Sequence, residues 1–571
     1  MIGRRSFNKS LFVSTLALLL GATLAAAQAQ TPVLARQGMV ASQEARASRI
    51  GVEVLQQGGN AVDAAVAVGF ALAVTHPQAG NIGGGGFMVI HLAERNEDIA
   101  IDYRETAPAA TTRDVFLDEK GEADPRKSRD SGLGIGVPGT VAGLALALER
   151  YGSGKFTLAQ LIAPALAAAR NGVVVEDNLA DVLPSAQSRL ARWPSTAKIF
   201  LNSDGGVLDP GQSLVQADLA ASLDAIAREG PRAFYQGPIA EKIVAAVRAA
   251  GGLMTLDDLK AYRAVLRTPV RGTYRDYQII SMPPPSSGGV HLVEMLNVLE
   301  GYPLADLGGG SVPALHLMIE AMKRAYADRA EFLGDPDVVA VPVERLTAKS
   351  YAADLRHSID PRRATPARDI RAGQPAAVEG ANTTHYSVVD AAGNAVANTY
   401  TLNLNFGVGL VAEGTGILLN DELDDFAAKP GAPNAYGLVG GAANAPGPGK
   451  RPLSSMTPTI VLKGGKPYLL TGSPGGSRII TTALEVILNA IDFRMDVAAA
   501  VAAPRIHHQW LPDAVDAEQA VPVETVRGLE QLGHKVVRRP NWGSANSIMV
   551  TPDGLAGAAD PRTRGALAVG Y

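Results

Sequence analysis

The sequence predicts a mixed α and β protein of the α+β class, and three observations lead to that prediction. Residues 139–260 are mostly helical by the spacing of their apolar side chains. From residue 384 onward, short strand-like runs alternate with turn signals such as the segment 390–394. A hydrophobic share of 47% beside 19% charged residues is ordinary for a globular protein, and 571 residues can bury a large core.

The first part of the chain contains the clearer helices. Residues 42–75 have a helical spacing that is interrupted at Gly58-Gly59, and the apolar run 87–92 predicts a buried strand paired with residues 99–103. The later helices are predicted over residues 158–170, 219–228, 239–250, 290–300 and 312–332. Residues 267–281 alternate like strands.

The second part changes character after residue 382. Residues 335–382 are polar and rich in Pro, Arg and Ala, which is typical of an exposed connector. Strands are then predicted over residues 384–389, 395–402, 417–419, 459–462 and 468–471. A helix is predicted over residues 479–491, and the Gly/Ala/Pro-rich loop 437–450 suits a mobile cover.

Composition excludes several functional classes. The chain has 52 basic and 56 acidic residues, so no basic excess indicates a nucleic-acid partner. It has no cysteine, which excludes disulfides, thiolate metal sites and a cysteine nucleophile. The nine histidines show no metal-ligand spacing, and the adjacent pair His507 and His508 is expected to be structural. We therefore expect no metal or organic cofactor.

Residues 1–29 are predicted to be a signal peptide. Arg4, Arg5 and Lys9 precede an apolar stretch, and Ala27-Gln28-Ala29 is a small-residue cleavage site. A membrane anchor is the other interpretation, but the apolar stretch is short for a spanning helix. The arginine pair also resembles a twin-arginine signal, so that route and the general secretory route both stay open. We expect a periplasmic or secreted protein without stable membrane insertion.

Thr383 is the candidate nucleophile, because an alternating segment begins there directly after the polar connector. A threonine hydroxyl becomes a useful nucleophile when the α-amino group of the same residue is free to act as its base. That group titrates near ~7.7–8.0, close to neutral pH. The chemistry requires backbone cleavage between Asn382 and Thr383. Without that cleavage, Thr383 would be an ordinary β-branched residue at the start of a strand.

A set of motifs resembles the γ-glutamyltranspeptidases, which belong to the N-terminal-nucleophile hydrolases. The segment 383–390 is similar to the start of their small subunit. The others follow in family order over essentially the whole mature chain: 83–87, 103–105, 136–139, 399–403, 416–420, 424–426, 451–456 and 471–477. Several motifs in order are a specific signal, unlike a lone glycine pattern.

The resemblance implies a four-layer αββα sandwich formed jointly by two autoproteolytic fragments. Residues 30–382 would be the large subunit and residues 383–571 the small catalytic subunit, and together they would form one composite domain and a heterodimer. Thr383 would take a γ-glutamyl group from glutathione or another γ-glutamyl compound as an ester. Water would then give hydrolysis, and an amino acid or dipeptide acceptor would give transpeptidation.

The resemblance also assigns roles to individual residues around Thr383. Thr401 would orient the nucleophile, and the backbone N–H groups of Gly475 and Gly476 would hold the developing oxyanion. In many proteins a threonine in such a position is a plain strand residue, and a glycine pair before a helix is a simple turn. A phosphate cradle is disfavoured because no lysine follows the glycines in the right place.

The remaining roles concern the amino-acid head group of the substrate. Its α-carboxylate would bind Arg104, Ser454 and Ser455. Its α-ammonium group would bind Asn403, Glu422 and Asp425. Tyr436, within residues 430–441, resembles the lid tyrosine of some family members. In proteins generally, such an arginine more often forms a surface ion pair, such acids are solvated, and such a tyrosine is exposed on a loop.

Two other functions stay open. An acylase for glutaryl or cephalosporin-type amides would keep the nucleophile but change the acids that bind an ammonium group. A non-catalytic periplasmic amino-acid-binding protein would account for export and a pocket. It would not account for a backbone cut before Thr383.

Overall fold

The computed structural model describes residues 31–370 and 383–571, in which two seven-stranded sheets form the centre of the molecule. The strands are β1 (Val33–Ala35), β2 (Met39–Ser42), β3 (Gly85–Leu92), β4 (Glu97–Tyr103), β5 (Val173–Val174), β6 (Ser213–Leu214), β7 (Val265–Arg267), β8 (Val270–Tyr274), β9 (Tyr277–Ser281), β10 (Thr384–Val389), β11 (Ala395–Thr401), β12 (Val411–Ala412), β13 (Ile417–Leu418), β14 (Thr459–Lys463), β15 (Lys466–Thr471), β16 (Ile506–His507), β17 (Val515–Glu518), β18 (Val536–Arg539), β19 (Ser547–Thr551), β20 (Gly554–Ala558) and β21 (Leu567–Gly570).

Helices surround the sheets. They are α1 (Ala45–Gln56), α2 (Ala61–Thr75), α3 (Pro125–Arg129), α4 (Thr140–Tyr151), α5 (Leu158–Asn171), α6 (Asp177–Ala191), α7 (Pro194–Phe200), α8 (Ala217–Glu229), α9 (Arg232–Tyr235), α10 (Pro238–Ala249), α11 (Leu256–Ala261), α12 (Gly288–Leu299), α13 (Leu304–Leu307), α14 (Val312–Phe332), α15 (Val343–Leu346), α16 (Lys349–His357), α17 (Ala367–Ile370), α18 (Arg478–Ile491), α19 (Val497–Ala502) and α20 (Val523–Gln531). Short 3₁₀ turns lie at Gly132–Gly134, Glu422–Asp425 and Ala442–Asn444.

The first sheet has the order β21-β2-β10-β11-β3-β4-β7, and the second has the order β1-β20-β19-β15-β14-β9-β8. Period-two alternation directs side chains to the two faces of each sheet. On β10, Tyr386 and Val388 join the core beneath the helices, whereas Val389 joins the core between the sheets. On β14, Val461 and Ile460 divide in the same way.

Helices cover the outer face of each sheet, which completes the predicted αββα layers. Helix α2 packs on β10 and β11, and every one of its residues is buried between the sheet and neighbouring helices. On the other side, α12 packs on β8 and β9, while α14 packs on α12. Since both strand faces are apolar, each sheet is stable only when covered on both sides.

Both sheets combine strands from before and after the undescribed residues 371–382. In the first sheet β10 pairs with β2, where Val388 lies opposite Val40, and β11 pairs with β3, where Ala397 lies opposite Val89. In the second sheet β14 pairs with β9, where Ile460 lies opposite Ile280. Each central sheet is therefore built jointly by the two parts of the chain.

Most predicted elements are present, with two differences. The expected connector is wrong for much of residues 343–370, where α15, α16 and α17 form and Lys323 donates to the Thr365 carbonyl at 2.8 Å. The short strands β1, β2, β5, β6, β12 and β16–β21 and the helices α19 and α20 were not predicted. The predicted signal peptide at residues 1–29 and Asn382 lie outside the described residues. Among the residues that are described, no helix is long and apolar enough to cross a membrane.

Candidate active site

Strand register brings Thr383 next to Thr401. Thr384 at the start of β10 pairs with Tyr400 near the end of β11, so the preceding residue, Thr383, comes beside Thr401. The Thr383 hydroxyl donates to the Thr401 hydroxyl at 3.3 Å, and Thr401 in turn accepts the Asn403 backbone N–H at 2.9 Å. Thr383 is only 4% exposed. The predicted nucleophile is thus held at one end of the sheet.

The second sheet contributes the glycine turn at the same end. Strand β15 ends at Thr471, and the segment after it leads through Gly475 and Gly476 into α18. The φ angles of these glycines are +135° and +55°, a region that side-chain-bearing residues rarely adopt. A side chain at Gly476 would overlap the Tyr436 ring. A helix N-terminus with free N–H groups favours a negative oxygen.

These elements line a cavity that is open to solvent, with about 250 Å³ of space between the atoms of its wall and mouth. Apart from Asn382, which lies outside the described residues, every predicted site residue except Gly475 lines this cavity. The lining residues are Arg104, Thr383, Thr401, Asn403, Glu422, Asp425, Tyr436, Ser454, Ser455, Met456, Gly476 and Ile479. Gly475 lies outside this lining, and its role as an oxyanion donor, like the roles of the lining residues, stays a prediction.

One side of the cavity is lined by acidic side chains that form ion pairs with an arginine. The Arg104 guanidinium donates to Glu422 through Nη1 and to Asp425 Oδ2 through Nη2 at 2.6 Å. Its Nε donates to the Pro452 carbonyl at 3.1 Å. Arg104 therefore lies where the sequence predicts, but two carboxylates already share its charge. A substrate carboxylate would compete with them for this arginine.

Sequence reasoning assigned no role to Glu105, which belongs to the same cluster. It is fully buried, and its Oε2 lies 4.0 Å from Arg104 Nη1. Burial, followed by repulsion from Glu422, raises the pKa of Glu105 well above its usual range. Burial also raises the pKa of Glu422 to about 7, although Arg104 opposes that effect. The only signal for Glu105 in the sequence was its place beside Arg104 in the motif 103–105.

The other side of the cavity is lined by hydroxyl groups. Ser454 Oγ accepts the Met456 N–H at 3.1 Å, and Ser455 Oγ accepts a hydrogen from Arg329 Nη2 at 3.2 Å. Neither hydroxyl donates to any acceptor in the described parts of the chain. Both protons are therefore available to a ligand in the cavity. Arg329 was missed by sequence reasoning, because nothing in its helix pattern distinguishes it.

Tyr436 closes the cavity from the loop side. Its hydroxyl donates to Asn403 Oδ1 at 2.6 Å, and Gln509 Nε2 donates to its carbonyl at 3.1 Å. The side chain is 8% exposed. The loop is attached to the acidic side as well, because Asn434 Nδ2 donates to Asp425 Oδ1 at 2.8 Å.

Histidines do not supply a base at this cavity. His385, two residues from Thr383, shares a hydrogen bond with Thr399 at 2.8 Å, and burial lowers its pKa to about 3. No residue in the described lining is a histidine or lysine. His507 and His508 are buried and hydrogen-bonded, as expected, to Thr481 and Asp513 among others.

A buried cluster of His316, Glu320 and His534 lies elsewhere in the fold and was also missed by sequence reasoning. Glu320 pairs with Lys323 at 3.0 Å and with Arg324 at 2.7 Å. The two imidazoles share a hydrogen bond of 2.7 Å. These contacts and the Asp360 carbonyl engage both ring nitrogens of His316 and both carboxylate oxygens of Glu320, so the cluster is best explained as hydrogen-bonded packing.

The four layers, with a threonine at the start of a central strand, define the class of N-terminal-nucleophile hydrolases. A solved structure of cephalosporin acylase from Bacillus halodurans has a TM-score of 0.82 at 27% identity, covering 96% of this chain and 98% of that chain. The solved Helicobacter pylori gamma-glutamyltranspeptidase has a TM-score of 0.56 at 47% identity, covering 59% and 95%.

The sequence comparisons narrow the class to one family. The gamma-glutamyltranspeptidase family model matches residues 47–570. The glutathione hydrolase proenzyme of Escherichia coli (strain K12) is 55% identical over 541 residues, which are 95% of this chain and 93% of that protein. The chain belongs to the gamma-glutamyltranspeptidase family.

Proposed function

We propose that the chain cleaves itself between Asn382 and Thr383 and then transfers or hydrolyses γ-glutamyl groups. The observation that carries the proposal is the convergence of Thr383 with paired carboxylates and two available serine protons in one cavity. Family membership supports the same activity. The name of the Escherichia coli relative supports glutathione as one donor.

The α-amino group of Thr383 is the proposed base. A nucleophile of this kind needs a proton acceptor, and the described cavity wall offers no histidine or lysine. The Thr383 hydroxyl attacks the γ-carbonyl carbon while its proton passes to the α-amino group. The carbon–nitrogen bond breaks, the leaving amine takes that proton, and a γ-glutamyl ester remains on Thr383.

The ester then reacts with a second nucleophile. Water attacks the ester carbonyl to release glutamate, or the amine of an amino acid or dipeptide attacks to form a new γ-glutamyl amide. In both cases the α-amino group of Thr383 accepts the incoming proton and returns it to the departing hydroxyl. The N–H groups of Gly475 and Gly476 stabilise the oxyanion in each half-reaction.

The proposed donor orientation follows from the two sides of the cavity. The α-ammonium group binds Glu422, Asp425 and Asn403. The α-carboxylate binds Ser454 and Ser455, with Arg104 between the two charges. This orientation directs the γ-carbonyl toward Thr383 and disfavours ordinary peptides, whose α-amino and α-carboxyl groups are not both free.

The two fragments are proposed to stay together as a heterodimer. Cleavage would leave residues 30–382 and 383–571, and each central sheet contains strands from both parts. Separation would expose apolar faces of both sheets. A signal peptide at residues 1–29 is proposed to direct this protein to the periplasm or the exterior by either export route.

An acylase is the second candidate, because one solved relative is a cephalosporin acylase. The two functions differ in whether the donor carries an α-amino group. The test compares γ-glutamyl and glutaryl p-nitroanilides, each with and without glycylglycine. A transpeptidase releases nitroaniline faster from the γ-glutamyl donor, and glycylglycine increases the rate. A faster reaction with the glutaryl donor would establish the acylase, and no release from either donor would refute both.

A further inference from the structure

Arg329 lies behind the hydroxyl side of the cavity without lining it. It belongs to α14 and is 4% exposed. Its Nε donates to Ser287 Oγ at 3.0 Å and its Nη2 donates to Ser455 Oγ at 3.2 Å. One buried guanidinium thus contacts a lining serine and the segment that supports it.

The charge of Arg329 is not balanced by an ion pair with any residue that the structure describes. Across residues 31–370 and 383–571, no carboxylate oxygen lies within 4.0 Å of its guanidinium. Arg104 contrasts with it, since two carboxylates share the charge of that residue. Burying an unpaired charge is costly, so its presence here needs a reason, and a negative ligand that binds nearby would supply one.

Arginine remains charged even where burial lowers its pKa, as burial does here. The positive charge is therefore present whether or not a ligand is bound. Its two hydrogen-bond partners are neutral hydroxyl groups, which can orient toward a cation but cannot neutralise it. Asp425 also favours the charged guanidinium, but it lies beyond ion-pair distance and pairs with Arg104.

The hydrogen bonds from Arg329 determine where the nearby protons point. A hydroxyl that accepts from Arg329 directs its own proton away from the guanidinium. For Ser455, which lines the cavity, the open side is the cavity itself. Ser287 Oγ instead donates to the Ser454 carbonyl at 2.7 Å, which fixes the turn that carries both lining serines.

We propose that Arg329 is a positioning residue that selects donors bearing an α-carboxylate. It orients the Ser455 hydroxyl toward that carboxylate and supplies the buried positive charge that the carboxylate balances. The proposal rests on the proposed function, because it assumes that the donor is a γ-glutamyl amide. It assigns part of the donor specificity to a residue that the substrate does not touch.

The test compares two donors that differ only in the α-carboxylate: γ-glutamyl p-nitroanilide and 4-aminobutyryl p-nitroanilide. The variants are Arg329→Gln, which removes the charge, and Arg329→Lys, which keeps the charge but loses the forked geometry. Arg324→Gln is the matched control, because Arg324 is another buried arginine of α14 that pairs with Glu320 and contacts no lining residue.

We expect Arg329→Gln to raise the KM for the γ-glutamyl donor by ~30-fold or more, since a buried charge partner is lost. Its kcat/KM for the 4-aminobutyryl donor should match that of the wild type. The KM of Arg329→Lys for the γ-glutamyl donor should lie between those of the wild type and Arg329→Gln. Arg324→Gln should change both donors in equal proportion. Should Arg329→Gln not fold, Arg329→Lys still has to raise the KM for the γ-glutamyl donor selectively.

Equal losses with both donors in the Arg329 variants would overturn the proposal, because that pattern marks a purely structural role. A wild-type enzyme that uses the two donors equally well would overturn it too. Failure of the proposed function looks different, since the wild type would then not turn over the γ-glutamyl donor at all.

Discussion

The two sides of the cavity differ in whether their charged groups are already paired. On the acidic side, Arg104 already forms ion pairs with Glu422 and Asp425 before any ligand binds. On the hydroxyl side, Ser454 and Ser455 keep their protons available, and Arg329 stays unpaired among the described residues. The acidic side is thus preorganised by its own ion pairs, whereas the hydroxyl side is completed only by a ligand. Selectivity for the carboxylate and for the ammonium group should therefore respond to different changes.

The largest effect is expected from removal of the nucleophile, which should abolish turnover of every donor, whichever side of the cavity binds it. Thr383→Ala should lower kcat by ~10⁴-fold or more, because the other hydroxyl groups of the described cavity wall have no free α-amino group of their own to act as base. The measurement is nitroaniline release from γ-glutamyl p-nitroanilide. Thr384→Val is the matched control, since the buried Thr384 hydroxyl has no hydrogen-bond partner in the described chain and its loss should leave the rate unchanged. Full activity of Thr383→Ala would contradict the mechanism.

Removing one acidic-side charge should weaken binding of the ammonium group alone. Glu422→Gln should raise the KM for the γ-glutamyl donor by ~10- to 100-fold, as expected for the loss of a hydrogen bond to a charged group. The rate with glutaryl p-nitroanilide should not fall, because that donor has no α-amino group.

Asp421→Asn is the matched control for that change. Asp421 is a buried neighbour outside the cavity lining, and burial raises the pKa of its carboxyl well above the usual range. Its substitution should leave the KM for both donors unchanged. An equal rise in KM from Asp421→Asn would show that the effect of Glu422→Gln is not specific.

The raised pKa of Glu422 predicts a pH dependence on the same side. Below its pKa of about 7 the carboxyl is protonated and cannot balance an ammonium charge, and above it the carboxylate is ionised. The KM for the γ-glutamyl donor should therefore fall as pH rises from 6 to 8, by up to ~10-fold per unit below the pKa. Glu422→Gln should remove this dependence, and its persistence in that variant would assign it to another group.

The smallest effect is expected at the lid. Tyr436→Phe removes the hydrogen bond to Asn403 but keeps the ring over Gly476, so the KM for the donor should rise only ~2- to 10-fold. Steady-state kinetics with the γ-glutamyl donor measure this rise. Tyr468→Phe, at a tyrosine outside the cavity lining, is the control and should have no effect. A loss as large as that of Glu422→Gln would give Tyr436 a role beyond covering the site.

Motifs and local pattern were sufficient to locate most of the residues that line the cavity. Thr383 was singled out by the motifs that resemble the γ-glutamyltranspeptidases, and β10 begins at the next residue, Thr384, as the alternating pattern predicted. Helix α14 has the predicted bounds because its apolar spacing is long and regular. The strands β19–β21 were missed because their runs are short, and pairing with distant strands stabilises them.

The roles of Arg329 and Glu105 could not be predicted from local pattern, because they depend on burial and on what lies nearby. Arg329 is unpaired among the described residues only because the fold places hydroxyl groups against its guanidinium. The pKa of Glu105 is raised only because the fold buries this residue beside Glu422. The paired state of Arg104 is likewise a tertiary property, and it changes the role expected for an arginine in a carboxylate site.

The most direct test is intact-mass analysis, with N-terminal sequencing, of purified wild-type, Thr384→Val and Thr383→Ala proteins. We predict two chains for the first two proteins, with the shorter chain beginning at Thr383, and one uncut chain for Thr383→Ala. A wild-type protein that remains a single chain while turning over the γ-glutamyl donor at full rate would contradict the account.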